Sequence, residues 1–128
     1  MADEQPQAWF TSPGGEPLLR CAHCAACGKD MFPAQSYGCT GCGAFGEDLS
    51  EKGLPAEGTL LSFAVVRMHD RHPVPFTLGD VELAAGGPIV RVQLRDDWTP
   101  RIGATVEARI VDDGDGRHLE FSPAAVTA

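Results

Sequence analysis

Basic residues are in short supply: the 128-residue chain has 10 Lys and Arg against 18 Asp and Glu, a formal charge of −8. A protein that grips a phosphate backbone needs a basic face, so general nucleic-acid binding is disfavoured, as is attraction to an anionic membrane. Aromatics are sparse as well, at 7% of residues, which leaves little for stacking on bases. Long apolar runs are missing; the longest, around residues 60–66, is far too short to span a bilayer. The start, MADEQPQAWF, has neither a basic nor an apolar segment of the secretory kind, so no signal peptide is expected. The chain has no phosphate-cradling glycine loop, dinucleotide fingerprint or nucleophile elbow. No nucleophile, base and oxyanion donor convincingly assemble, so a catalytic centre is not expected.

Cysteine is what the chain does have. Two copies of Cys-x2-Cys-Gly, Cys24/Cys27/Gly28 and Cys39/Cys42/Gly43, fall within residues 21–43. Zinc takes four soft ligands in a tetrahedron, and two short turns facing each other supply them. The trailing glycines permit tight turns that aim backbone N–H groups at the sulfurs. Two disulfides would need an oxidising compartment, and a redox pair would open a helix instead of sitting in Gly- and Pro-flanked loops. A rubredoxin-like iron site is the remaining metal alternative. Four thiolates close the coordination sphere, so one structural Zn2+ per chain is expected, in a reducing cytoplasm. Cys21 could also pair with Cys24. Cys24/Cys27 is preferred because it matches the second knuckle, leaving Cys21 as a small buried apolar group. His23 reads as a surface neighbour.

Residues 1–20 form a polar leader holding Trp9-Phe10, which either pack on the ribbon or anchor a partner. Residues 44–57 carry acidic and Gly/Pro punctuation and read as a linker. From residue 58 to 128 the pattern is of strands: 59–68, 76–83, 88–94, 105–111 and 117–121. The first is apolar on both parities, as for a buried barrel strand. Gly79 in the second suggests a bulge or bend. Residues 88–94 alternate, with Val90, Val92 and Leu94 on one side; Val106, Ala108 and Ile110 do so in the next run, and Leu119 and Phe121 point inward in the last. Residues 84–87 and 112–116 read as hairpin turns. His69-Asp70-Arg71-His72 lies in the loop between the first two strands and reads as solvated. Five short strands hide their edges best in a closed barrel, so the fold class is all-β: a rubredoxin-like zinc ribbon, then a five-stranded OB-fold barrel.

Leu18-Leu19-Arg20 leading into the ribbon, Phe32-Pro33 within it and Gly58-Thr59-Leu60-Leu61-Ser62-Phe63 after it resemble one family in particular. It is the small OB-fold proteins with an N-terminal zinc ribbon that accompany thiolase-like acyl-CoA enzymes. Residues 75–83, Arg101-Ile102-Gly103-Ala104-Thr105-Val106 and Phe121-Ser122-Pro123 extend the match. The resemblance implies a non-catalytic accessory subunit. Its partner would be a thiolase-like enzyme making or breaking carbon–carbon bonds in acyl-CoA thioesters, a steroid side-chain retro-aldolase, or a MaoC-like hydratase. The competing classes are an OB-type nucleic-acid binder and a stand-alone enzyme or iron electron-transfer ribbon.

Overall fold

An eight-residue strand with small or apolar residues at 19, 21, 22 and 24 is the spine of the first half. The structure, a computed structural model, describes residues 8–83, 87–112, 114 and 116–124, and divides at Pro55/Ala56 into two units. In the first unit, β2 (Pro17–Cys24) is flanked by β1 (Trp9–Thr11) and β3 (Asp30–Met31) along one side and by β4 (Leu49–Pro55) along the other. All pairings are antiparallel. Trp9 and Phe10 are therefore built into the sheet, and the Arg20 guanidinium lies 4.6 Å above the Phe10 ring. The small core beneath comprises Ala22, Cys24, Met31 and Cys39, with Ala44 and Leu49 packed against it.

The stretch 44–57, expected as a linker, instead holds a 3-10 turn at Gly46–Asp48 and β4, which pairs with β2 from Leu18↔Pro55 to Cys24↔Leu49. Its polar composition reflects an edge strand. Glu51 and Lys52 are exposed and Pro55 closes the strand, features that keep an edge from recruiting another chain.

In the second unit β5 (Glu57–Val66), β6 (Phe76–Glu82), β7 (Ile89–Leu94), β8 (Thr105–Asp112) and β9 (Arg117–Pro123) close a barrel in the order β5-β6-β7-β9-β8. Neighbours are antiparallel except β7 and β9, which meet in parallel at Leu94↔Phe121. Of the residues expected to alternate inward, Val90, Leu94, Val106 and Phe121 are almost wholly buried and Val92, Ala108, Ile110 and Leu119 half-buried; Leu60 and Val81 complete the core. Of the expected turn at 84–87, only Gly87 is among the described residues. In the turn at 112–116 the Gly114 N–H donates to Asp112 Oδ1 at 3.1 Å, while residues 113 and 115 lie outside the described set.

Two expectations for the barrel are corrected. The strand read as buried on both faces is not: in β5 Leu60 is 0% exposed, whereas Leu61, Phe63 and Val65 are 37%, 40% and 45% exposed. The cause is topological. β8 pairs with β5 only along Glu57–Thr59, and beyond Leu60 the strand continues as a hairpin with β6 alone. Nor does the irregularity fall at Gly79; the register shifts in β5, between Leu60 and Ser62. Gly79 instead makes room. A Cβ there would stand 2.8 Å from Leu60 Cδ1 and 3.1 Å from both Leu94 methyls.

Candidate metal centre

The two Cys-x2-Cys-Gly turns fold alike because the same bonds form at the same offsets. Gly28 N–H donates to the Cys24 carbonyl at 2.7 Å, and Gly43 N–H to the Cys39 carbonyl at 2.9 Å. Cys24 N–H reaches the Lys29 carbonyl, and Cys39 N–H the Ala44 carbonyl. Both glycines have φ of 82°, a left-handed conformation that a side chain would strain. β2 delivers Cys24 at its end, and the loop after β3 carries Cys39 and Cys42 back to it.

These turns bring all four sulfurs within 4.8 Å of one another. Cys24 and Cys42 sulfurs lie 3.7 Å apart, and those of Cys27 and Cys39 3.5 Å. A tetrahedron with metal–sulfur bonds of about 2.3 Å has edges of about 3.8 Å. The donor set therefore fits a tetrathiolate ion such as zinc. Backbone N–H groups of Cys42 and Gly41 aimed at Cys39 pull its thiol down to about 6. At Cys27 the Lys29 N–H favours the thiolate, but the neighbouring Cys39 sulfur and desolvation outweigh it and push the thiol up to about 12. Crowded sulfurs can ionise together only beside a compensating cation, which is the role a divalent metal would fill.

Cys21 and His23 stand outside this cluster among the described residues. Cys21 is fully buried, and burial, with help from Asp30, pushes its thiol up to about 11. His23 Nδ1 lies 2.7 Å from Asp30 Oδ1, and Lys52 Nζ approaches the other Asp30 oxygen at 3.3 Å. These partners hold the Asp30 carboxyl below its ordinary range despite partial desolvation.

The loop at residues 67–75 is exposed throughout. His69 and His72 rings rest on Phe76, with centroids 5.6 and 4.3 Å from it. The ribbon and the 67–76 loop were expected to be exposed, but sequence reasoning did not single out their exposed apolar side chains. Tyr37 and Phe45, on either side of the second knuckle, are 91% and 72% exposed, and Met68 at the hairpin tip is 89% exposed. Isolated aromatics in a Gly-rich segment give no periodicity to read.

No helix among the described residues is long and apolar enough to cross a membrane. No curated protein matches the chain by sequence. The profile of the family described as ChsH2, C-terminal OB-fold domain, matches residues 51–111. Among solved structures, the chain is similar to a chain of the Ltp2-ChsH2(DUF35) aldolase. The two share 26% identity over 84% of this chain and 86% of that one, with a TM-score of 0.66. The four-cysteine cluster and the closed five-stranded barrel are thus the architecture of a chain that is similar to ChsH2 in its OB-fold domain and to a chain of the Ltp2-ChsH2(DUF35) aldolase in overall fold.

Proposed function

We propose that the chain is a non-catalytic accessory subunit of an aldolase-type enzyme. Its partner is a thiolase-like subunit that cleaves or forms a carbon–carbon bond in an acyl-CoA thioester, with retro-aldol cleavage of a side-chain thioester the favoured reaction. The observation that carries this reading is a likeness to a chain of the Ltp2-ChsH2(DUF35) aldolase that spans both units of the fold. Cys24, Cys27, Cys39 and Cys42 hold one structural Zn2+ that fixes the ribbon, and the reduced thiols suit a cytoplasmic setting. The docking surface comprises the ribbon, with Tyr37 and Phe45, and the loop at residues 67–76. Exposed aromatic and methionine side chains of this kind are typical anchors of protein interfaces.

Co-expression with a thiolase-like aldolase subunit, followed by native mass spectrometry, tests the reading. A stable hetero-oligomer is expected. Clean separation of the two proteins at micromolar concentration counts against it.

A further inference from the structure

The two sheets treat their outer edges in opposite ways. β4 is polar, with Glu51 and Lys52 exposed and Pro55 at its end. β5 has no such protection. Its ladder with β8 stops at Thr59, and the loop before β8 covers only Leu60, through Leu60 N–H to the Ala104 carbonyl at 2.9 Å and Gly103 N–H to the Leu60 carbonyl at 2.7 Å. From Leu61 to Val66 the side of β5 away from β6 has no strand beside it among the described residues. Residues 59–66, TLLSFAVV, contain no charge and no proline. Exposed apolar edges with neither device recruit another strand.

Side chains and charge indicate what the edge recruits. Phe63 and Val65 pair with Gly79 and Thr77 and so share one face of the hairpin, where they are 40% and 45% exposed. In the loop at the tip, Val74 and Met68 are also apolar and exposed, at 43% and 89%. The hairpin over residues 57–82 carries Glu57, Asp70, Asp80 and Glu82 against Arg67 and Arg71, but at its tip, residues 67–75, Arg67 and Arg71 outnumber Asp70, with His69 and His72 beside them, on a chain of net −8. A basic-leaning tip on an acidic protein suits a partner strand with carboxylates at the flank that meets the tip, whereas two copies bringing −8 each into one sheet repel.

We infer that the outer edge of β5 over residues 61–66 is completed by an extended edge strand of the enzyme subunit. Main-chain hydrogen bonds to that strand give affinity. Phe63 and Val65 pack on its apolar side chains, and Arg67 and Arg71 meet carboxylates at its flank. This rests on the accessory-subunit reading and adds to it how the hairpin engages.

The test is amide hydrogen exchange by mass spectrometry on the full chain, free and in complex with the co-expressed thiolase-like subunit. Outward amides of residues 61–66 are expected to slow about tenfold or more on complex formation, the factor that one net hydrogen bond of ordinary strength supplies. A complex that forms with exchange across 61–66 unchanged overturns the edge pairing and leaves the subunit reading standing. Failure to form any complex overturns both. Concentration-dependent protection of 61–66 in the chain alone assigns the edge to a second copy and also overturns the inference. Val65→Lys supplies the second arm, with at least about tenfold weaker association expected from a charge on the pairing strand. Wild-type affinity in this variant contradicts the pairing; if the variant misfolds, the exchange result decides.

Discussion

Removing the metal should unfold one half of this protein and spare the other. Among the described residues of the first unit, the large aliphatic side chains in the core are Leu19 and Met31, at 4% and 6% exposed. Each contributes about 1.5–3 kcal/mol by burial, whereas a structural zinc in a small domain contributes about 10–16 kcal/mol. The clamp therefore outweighs the core. The second unit has Leu60, Val81, Val90, Leu94, Val106 and Phe121 inside a closed barrel that none of the four sulfurs enters. Exhaustive chelation with the thiols kept reduced should release one zinc per chain, measured by elemental analysis. Amide exchange should then rise across β2, β3 and β4 to unprotected rates while β5 to β9 keep their protection. Lower pH should ease the release, because protons compete with the metal for thiolates. Ribbon strands that stay protected after the metal has left would refute the reasoning, as would iron in place of zinc.

Gly79→Ala forces a Cβ to 2.8 Å from Leu60 and should cost the barrel about 1–3 kcal/mol by overpacking, more than alanine returns in backbone entropy; denaturant titration measures it. Gly58→Ala places a Cβ 2.0 Å from the Glu82 carbonyl oxygen, backbone that cannot swing aside, so the loss should exceed that of Gly79→Ala in the same titration. The Asp80 carboxyl is held below its ordinary range by Arg91, whose Nε lies 3.0 Å away, and by the Ser62 hydroxyl. Its stabilisation is present above the unfolded carboxylate pKa of about 4 and is lost as pH falls through the lower folded value. Asp80→Asn should therefore flatten the acid limb of a melting-temperature profile, modestly, because Arg91 is largely exposed.

The ribbon and the barrel were legible where chemistry or periodicity is local. Cys24, Cys27, Cys39 and Cys42 announce themselves because a tetrahedral ion demands that residue type at that spacing, and β7 to β9 because inward and outward residues alternate. β4 was hidden, since Glu51, Lys52 and Pro55 serve an exposed edge strand as readily as a loop. β5 misled for a different reason. Apolar residues on both parities mark a strand covered on both sides, and nothing in residues 59–66 tells whether the cover comes from this chain or another. The shift between Leu60 and Ser62 depends on where β8 leaves β5, a long-range pairing with no signature in β5 itself.

The most direct measurement is of turnover by purified components: this chain alone, the proposed thiolase-like partner alone, and the two mixed, each with a β-hydroxyacyl-CoA thioester, following release of the carbonyl product. Cleavage by the mixture that rises to a plateau at a fixed ratio of the subunits, with none from this chain alone, is the predicted result. Cleavage of the thioester by this chain unaided, or a partner whose rate is indifferent to it, would contradict the account.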